Sequence, residues 1–311
     1  MQQDFKWQGR HDGDGPAHWR IHHVMNQTIQ PQYVLLGFAS DEGVRRNQGR
    51  VGAAAGPQAI RKQLANLPVH TPLNIADLGD VTCQNGQLEQ AQTELSAVLM
   101  QNLAKGFKPI VLGGGHEVAF ASFQGLFDYN RRHHPQRRIG IINFDAHLDL
   151  RRDPVASSGT PFFQAAQLSK QRGQSFHYLC LGVAQHSNTK ILFDTAHDLN
   201  CQYVYDHEFN STKNLEITTK VEHFITELDD LYVTIDLDVF SAHIAPGVSA
   251  PAVRGIDLAS FEWVFEQIVQ SGKVRLLDFA ECNPSFDTDN KTARLAAYII
   301  YQYLFMNQKL V

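Results

Sequence analysis

From about residue 33 onward, short apolar runs alternate with longer amphipathic stretches. The runs YVLLGF (33–38), PIVLGG (109–114), RIGIINF (138–144), HYLCLGV (177–183), QYVYD (202–206), LYVTIDL (231–237) and VRLLDFA (274–280) read as strands. Most are apolar throughout instead of alternating, which is the pattern of strands covered by helices on both faces. Between them, GPQAIRKQLANL starts a helix near Pro57 and LEQAQTELSAVLMQNLAKG ends one at Gly106. LASFEWVFEQIVQSG ends another at Gly272, and KTARLAAYIIYQYLF is helical as well. The alternation predicts an α/β architecture with a mainly parallel sheet. No repeat, low-complexity segment or Pro/Gly/Ser-rich linker interrupts it, so one domain over 1–311 is expected, with 1–32 as an N-terminal extension packed on it.

Composition adds exclusions. The chain has 311 residues, 43% of them hydrophobic and 19% charged, which is enough for one large core. A net charge of -5, with no block of five or more like charges, gives no attraction to nucleic acid or to an anionic membrane. RRHHPQRR (131–138) joins a helix to a strand and reads as a solvated connection. Cys83, Cys180, Cys201 and Cys282 are scattered and form no CxxC pair, as reduced thiols of a cytosolic protein would be. The polar N-terminus does not read as a signal peptide, and no apolar run approaches about 18 residues, so a cytoplasmic location is expected.

In such sheets, ligands bind beyond the carboxyl ends of the strands, and that is where polar residues ill-suited to a core concentrate. His116 follows PIVLGG; Asp145, His147 and Asp149 follow RIGIINF; Asp236 and Asp238 follow LYVTI. Each alone has an ordinary reading, as a hydrogen-bonded loop histidine, an Asx-turn or a helix cap. Together they place four carboxylates and two imidazoles at three strand ends. Carboxylates so close repel one another and are costly to desolvate, and they require cationic charge nearby. No Lys or Arg lies within the clusters, although Arg151 and Arg152 follow closely. A pair of divalent cations supplies that charge. Oxygen and imidazole donors without thiolate suit Mn²⁺ better than Zn²⁺ or Fe²⁺, and six residues serving two metals require bridging carboxylates.

GGGHE, NFDAHLDLR, DLDVF and DFAECNPSFD (278–287) resemble, in order and spacing, the motifs of the ureohydrolase family of arginases and agmatinases. The resemblance covers the chain from about residue 33 to its end. It implies an arginase-like three-layer α/β/α sandwich and two Mn²⁺ per subunit. One manganese would sit on His116, Asp145, Asp149 and Asp236, the second on His147, Asp145, Asp236 and Asp238, so that Asp145 and Asp236 bridge. It also implies that Glu281 pairs with the cationic group under attack, that Asp149 accepts a hydrogen bond from the bridging hydroxide, and that the protein is a homo-oligomer. Proton transfer to the departing amine needs a group within reach, for which Asp149 is the candidate.

One departure bears on the substrate. Arginases and agmatinases carry a histidine before a glycine in the loop after DAHxD, where this chain has Ser158 before Gly159. WQGRHDG (7–13), DEGVRRNQGRVGAAAGPQAIR (41–61), SSGTPF and QHSNT (185–189) are similar instead to the branch that hydrolyses N-formimidoyl-L-glutamate to L-glutamate and formamide in histidine breakdown. Two carboxylates on that substrate call for arginine forks or backbone N–H groups. Arg45, Arg46 and Arg50 in the loop after the first strand, Arg151 and Arg152 after the central motif, and Arg254 are the candidates, with Ser158 and Asn188 as further polar contacts. The N-terminal histidines His11, His18, His22 and His23 match no ligand frame and read as structural or surface residues. Alternatives are another amidine or guanidine hydrolase, a one-zinc deacetylase of related fold, and a metal-stabilised binding protein.

Overall fold

The structure, a computed structural model, describes residues 5–306. Residues 1–4 and 307–311, included in the expected domain, lie outside the described residues. Eight strands form one parallel sheet in the order β2-β1-β3-β8-β7-β4-β5-β6. They are β1 (Tyr33–Ala39), β2 (Ile75–Thr82), β3 (Lys108–Leu112), β4 (Ile139–Phe144), β5 (Tyr178–Val183), β6 (Gln202–Tyr205), β7 (Asp230–Asp236) and β8 (Val274–Ala280). The seven apolar runs are all strands. β2 is the one the pattern does not announce. IADLGDVT buries every other residue, as an edge strand does, and its Asp and Gly break any apolar run.

The helices are α1 (Ile21–Val24), α2 (Glu42–Arg46), α3 (Gly56–Leu64), α4 (Leu88–Ala104), α5 (Val118–His133), α6 (Pro161–Gln171), α7 (Lys190–Asp198), α8 (Asn214–Thr226), α9 (Leu258–Gln270) and α10 (Lys291–Phe305). Successive strand residues point to opposite faces, and two separate apolar clusters result. Leu35, Ile142, Val233 and Leu277 pack with residues of α3, α8, α9 and α10, whereas Leu36, Ile141, Tyr232 and Leu276 pack with those of α4, α5, α6 and α7. The three-layer α/β/α sandwich is therefore observed. Phe144, immediately before the central polar cluster, is anchored against Phe261 and Phe265 with ring centroids 4.7 and 6.4 Å away. Such a pair contributes roughly 0.5–1.5 kcal/mol beyond its area, which holds the strand end rigid.

The N-terminal segment is tied to the sandwich by a bridge between Arg20 and Pro68 and by the Trp7 indole N–H donating to Asp77 at 2.9 Å. Among the described residues, no helix is long and apolar enough to cross a membrane.

Candidate metal centre

β3, β8, β7 and β4 are consecutive neighbours, so their carboxyl ends form one row. GGGHE leaves β3 at Gly113, and its glycines are required by crowding: a Cβ on Gly114 would stand 1.7 Å from the Ser40 carbonyl oxygen. His116, Asp145, Asp236 and Asp238 are buried in the middle of the row. Asp149 and Glu281 adopt φ values of 47° and 65°. A left-handed conformation costs a side-chain-bearing residue about 1–3 kcal/mol and persists where the surroundings enforce it. In both cases it accompanies a carboxylate at this site.

The six predicted ligands come together. His116 Nδ1 lies 3.1 Å from one oxygen each of Asp145, Asp149 and Asp236. His147 Nδ1 lies 3.4 Å from the other oxygen of Asp145 and 3.1 Å from Asp238. Asp145 thus belongs to two ligand groups, His116–Asp145–Asp149 and Asp145–His147–Asp238. The D-x-D turns do exist: the backbone N–H of His147 donates to Asp145 at 2.7 Å and that of Asp238 to Asp236 at 2.8 Å. They engage Oδ1 only, while Oδ2 of each aspartate faces His116. Among the described residues, no Lys or Arg side chain pairs with any of the four carboxylates.

Two observations fit this donor set to cations. His116 Nε2 is 3.0 Å from the Thr234 hydroxyl, which leaves Nδ1, buried and without a hydrogen-bonding partner, as the free donor atom. Asp238 Oδ1 is likewise buried and unpartnered. The protein's own groups relieve the crowding through their protons. Burial and the neighbouring Asp145 push the Asp149 carboxyl up to about 6, and burial with Asp236 beside it raises Asp238 well above the carboxylate range. For His116, burial favours the neutral ring, but the surrounding Asp145, Asp149 and Asp236 outweigh it and raise its pKa well above the usual value. A site that must hold protons to tolerate its own charge is a site for cations.

Glu281 follows β8 and faces the same cleft. It accepts the His116 backbone N–H at 2.9 Å and the Ser249 hydroxyl at 2.5 Å. Burial, with Asp236 nearby, pushes its carboxyl up to about 8. The cleft holds about 240 Å³ and is bordered by His116, His147, Asp149, Asp236 and Asp238 together with Asn47, Arg151, Ser158, Ser249 and Glu281, a volume suited to a small polar metabolite.

The predicted substrate contacts divide. Arg151 and Ser158 border the cleft, and among the described residues the Arg151 guanidinium makes no hydrogen bond or ion pair. Asn188 also borders it, but its amide donates to the Ala146 and Ala184 carbonyls and accepts from Leu148 N–H, so it clamps the metal loop. Arg45 and Arg46 do not border the cleft. Both bond Glu42, and Arg46 also reaches Glu89 and the carbonyls of Gly86 and Ala156. The acidic neighbours one helical turn away, together with Glu89, account for that placement. Arg152 is turned outward to Asp198. Among the described residues, both metal-competent groups lie in the cleft and none uses the N-terminal histidines.

Thr234 and Ser249 were not singled out from the sequence. Thr234 could have been, because it is a lone hydroxyl in an apolar strand, two residues before Asp236 and hence on its face. Ser249 carries no such signal in its irregular loop.

Comparison with known proteins places the chain. The Arginase family matches residues 31–306. The formimidoylglutamase of Aeromonas salmonicida (strain A449) is 48% identical over 303 residues, covering 95% of this chain and 96% of that protein. That of Vibrio vulnificus (strain YJ016) is 46% identical over 328 residues, covering 100% of this chain and 97% of that protein. Among solved structures, Trypanosoma cruzi formiminoglutamase with Mn²⁺₂ superimposes with a TM-score of 0.81 at 25% identity, over 92% of this chain and 97% of that one. The fold, the shared aspartate between two ligand groups and these full-length matches agree: the chain belongs to the arginase family.

Proposed function

We propose that this chain hydrolyses N-formimidoyl-L-glutamate to L-glutamate and formamide, as a step of histidine degradation. The observation that carries the reading is 46–48% identity to formimidoylglutamases over nearly the whole length of both proteins. The serine in place of a histidine at position 158 supports the same choice.

His116, Asp145, Asp149 and Asp236 would hold one manganese and His147, Asp145, Asp236 and Asp238 the other. Bound there, two such cations supply a water acidified enough to serve as nucleophile near neutral pH. The chain's own residues do the rest. Glu281, fixed by the His116 N–H and the Ser249 hydroxyl, presents its carboxylate to the cationic C–N group of the substrate. Asp149, at the cleft wall, is the group placed to carry a proton to the departing amine, which leaves as the α-amino group of glutamate. The unpaired Arg151 fork grips a substrate carboxylate, with Ser158 beside it.

A substrate panel tests this. Manganese-loaded protein should release formamide from formimidoylglutamate and no urea from arginine, agmatine or a guanidino acid. Urea release without formamide would overturn the substrate assignment.

A further inference from the structure

Of the three arginines in the loop after β1, Arg50 is the one turned toward the cleft wall, and it meets no carboxylate there. Its Nε donates to the Ser249 carbonyl at 3.1 Å and its Nη2 to the Val248 carbonyl at 2.6 Å. Its guanidinium carbon lies 4.0 Å over the Phe286 ring. The backbone carbonyl of Arg50 is in turn bonded by the Asn283 amide at 3.0 Å. One side chain therefore joins the β1 loop, the loop that carries Ser249, and the segment just after Glu281.

Ser249 needs such support. Residues 247–250 run as bends without a ladder partner, yet the Ser249 hydroxyl makes the 2.5 Å bond to Glu281 Oε2. Glu281 Oε1 is already held by the buried His116 N–H. Without Ser249, one oxygen would remain tethered and the carboxylate plane would be free to turn about that contact. A planar fork can hold two adjacent carbonyls and also stack on an aromatic face, which an ammonium cannot do.

We infer that Arg50 is a positioning residue that braces the 247–250 loop so that the Ser249 hydroxyl fixes the orientation of Glu281. The inference rests on the proposed role of Glu281 as the carboxylate facing the substrate. It takes Arg50 out of substrate binding and gives it a task in the orientation of a reacting group.

The test combines kinetics with a substrate-independent readout. Ser249→Ala and Arg50→Ala should each lower kcat for formimidoylglutamate about tenfold with KM within about twofold, because the substrate's carboxylates are held elsewhere. Ser249→Thr, which keeps the hydroxyl, should recover most of the loss, whereas Arg50→Lys should not. The double variant should be no slower than Ser249→Ala, since both act through one contact. Wild-type kcat in Ser249→Ala, additive losses in the double variant, or full rescue by Arg50→Lys would overturn the inference. Hydrogen exchange at the backbone amides of 248–250 should speed up in Arg50→Ala at unchanged manganese content. Unchanged exchange would sink the brace whatever the substrate proves to be. A wild-type protein that releases no formamide would remove the substrate assignment and leave the exchange result to decide the brace.

Discussion

Two of the places where this molecule gathers carboxylates treat them in opposite ways. On the β2 side, Asp77 and Asp80 meet Arg61, which is wholly buried on α3. The guanidinium donates to both oxygens of Asp77 at 2.9 Å and to Asp80 at 2.5 Å. Gly37 makes the room, since a Cβ there would stand 1.8 Å from an Asp80 oxygen. At the carboxyl ends of β4 and β7, four carboxylates converge, and among the described residues no Lys or Arg meets them, only His116 and His147. Buried acids are tolerated only when paired. The region with its own arginine is therefore a structural cross-link, and the region without one carries the candidate metal-ligand groups.

The largest effect should come from breaking the empty side. Asp145→Ala removes the one residue common to both ligand groups. Activity should fall to background and both manganese ions should be lost on elemental analysis, while the fold, with Arg61 still paired, remains intact by circular dichroism. A full metal complement in that variant would overturn the sharing. Asp236→Ala, which removes the second carboxylate proposed to serve both cations, should likewise abolish tight binding of both.

The matching break on the filled side should destabilise without touching chemistry. Arg61→Ala leaves two acids facing the space of a buried guanidinium, at a cost of about 3–5 kcal/mol. Denaturant midpoints should fall accordingly, whereas manganese per folded molecule stays at wild type. Loss of manganese in parallel with the loss of stability would count against the distinction drawn.

Protons sharpen the comparison next. Without metal, Asp149 is pushed up to about 6 and Asp238 is raised, while His116 and His147 are raised well above the ordinary imidazole value. Ligation needs carboxylates and neutral rings, so every one of these groups must shed its proton as metal binds. Manganese affinity should therefore weaken as pH falls, first where the raised imidazoles take up protons above their ordinary range and further as pH falls through about 6, where Asp149 does. Calorimetry in buffers of different ionisation enthalpy should show protons released, and pH-independent binding without release would count against the crowding argument.

Both regions differ again in how far they could be read from the chain. Asp145, His147 and Asp149 interrupt an apolar pattern at a strand end, and the convergence of the six candidate ligands was legible for that reason. Seven of eight strands were legible as short apolar runs, most of them because both their faces are covered, and β6, at the other edge, by its Tyr-Val-Tyr. β2 was not, because an edge strand that carries Asp77 and Asp80 looks polar until Arg61, from a different element, is brought against it. The placement of the β1-loop arginines away from the cleft was not legible either. Glu42 is a local partner at helical spacing, but Glu89 and Val248 are brought in by tertiary packing, which the type and spacing of residues do not reveal.

The difference between a bonded arginine and a free one gives the smallest and most discriminating prediction. Arg151 borders the cleft with no partner among the described residues, while Arg45 is exposed and bonded to Glu42 one turn away. If a free fork is what recognises the substrate, Arg151→Ala should raise KM about 10- to 100-fold, the worth of a charge-assisted hydrogen-bond pair, with kcat changing far less. Arg45→Ala, which removes an equal charge from the same side of the sheet, should leave KM and the melting temperature within error. Equal effects of the two variants would mean that general positive charge steers the substrate in, and high salt would then erase both. A KM change confined to Arg151 and retained in high salt identifies a built contact.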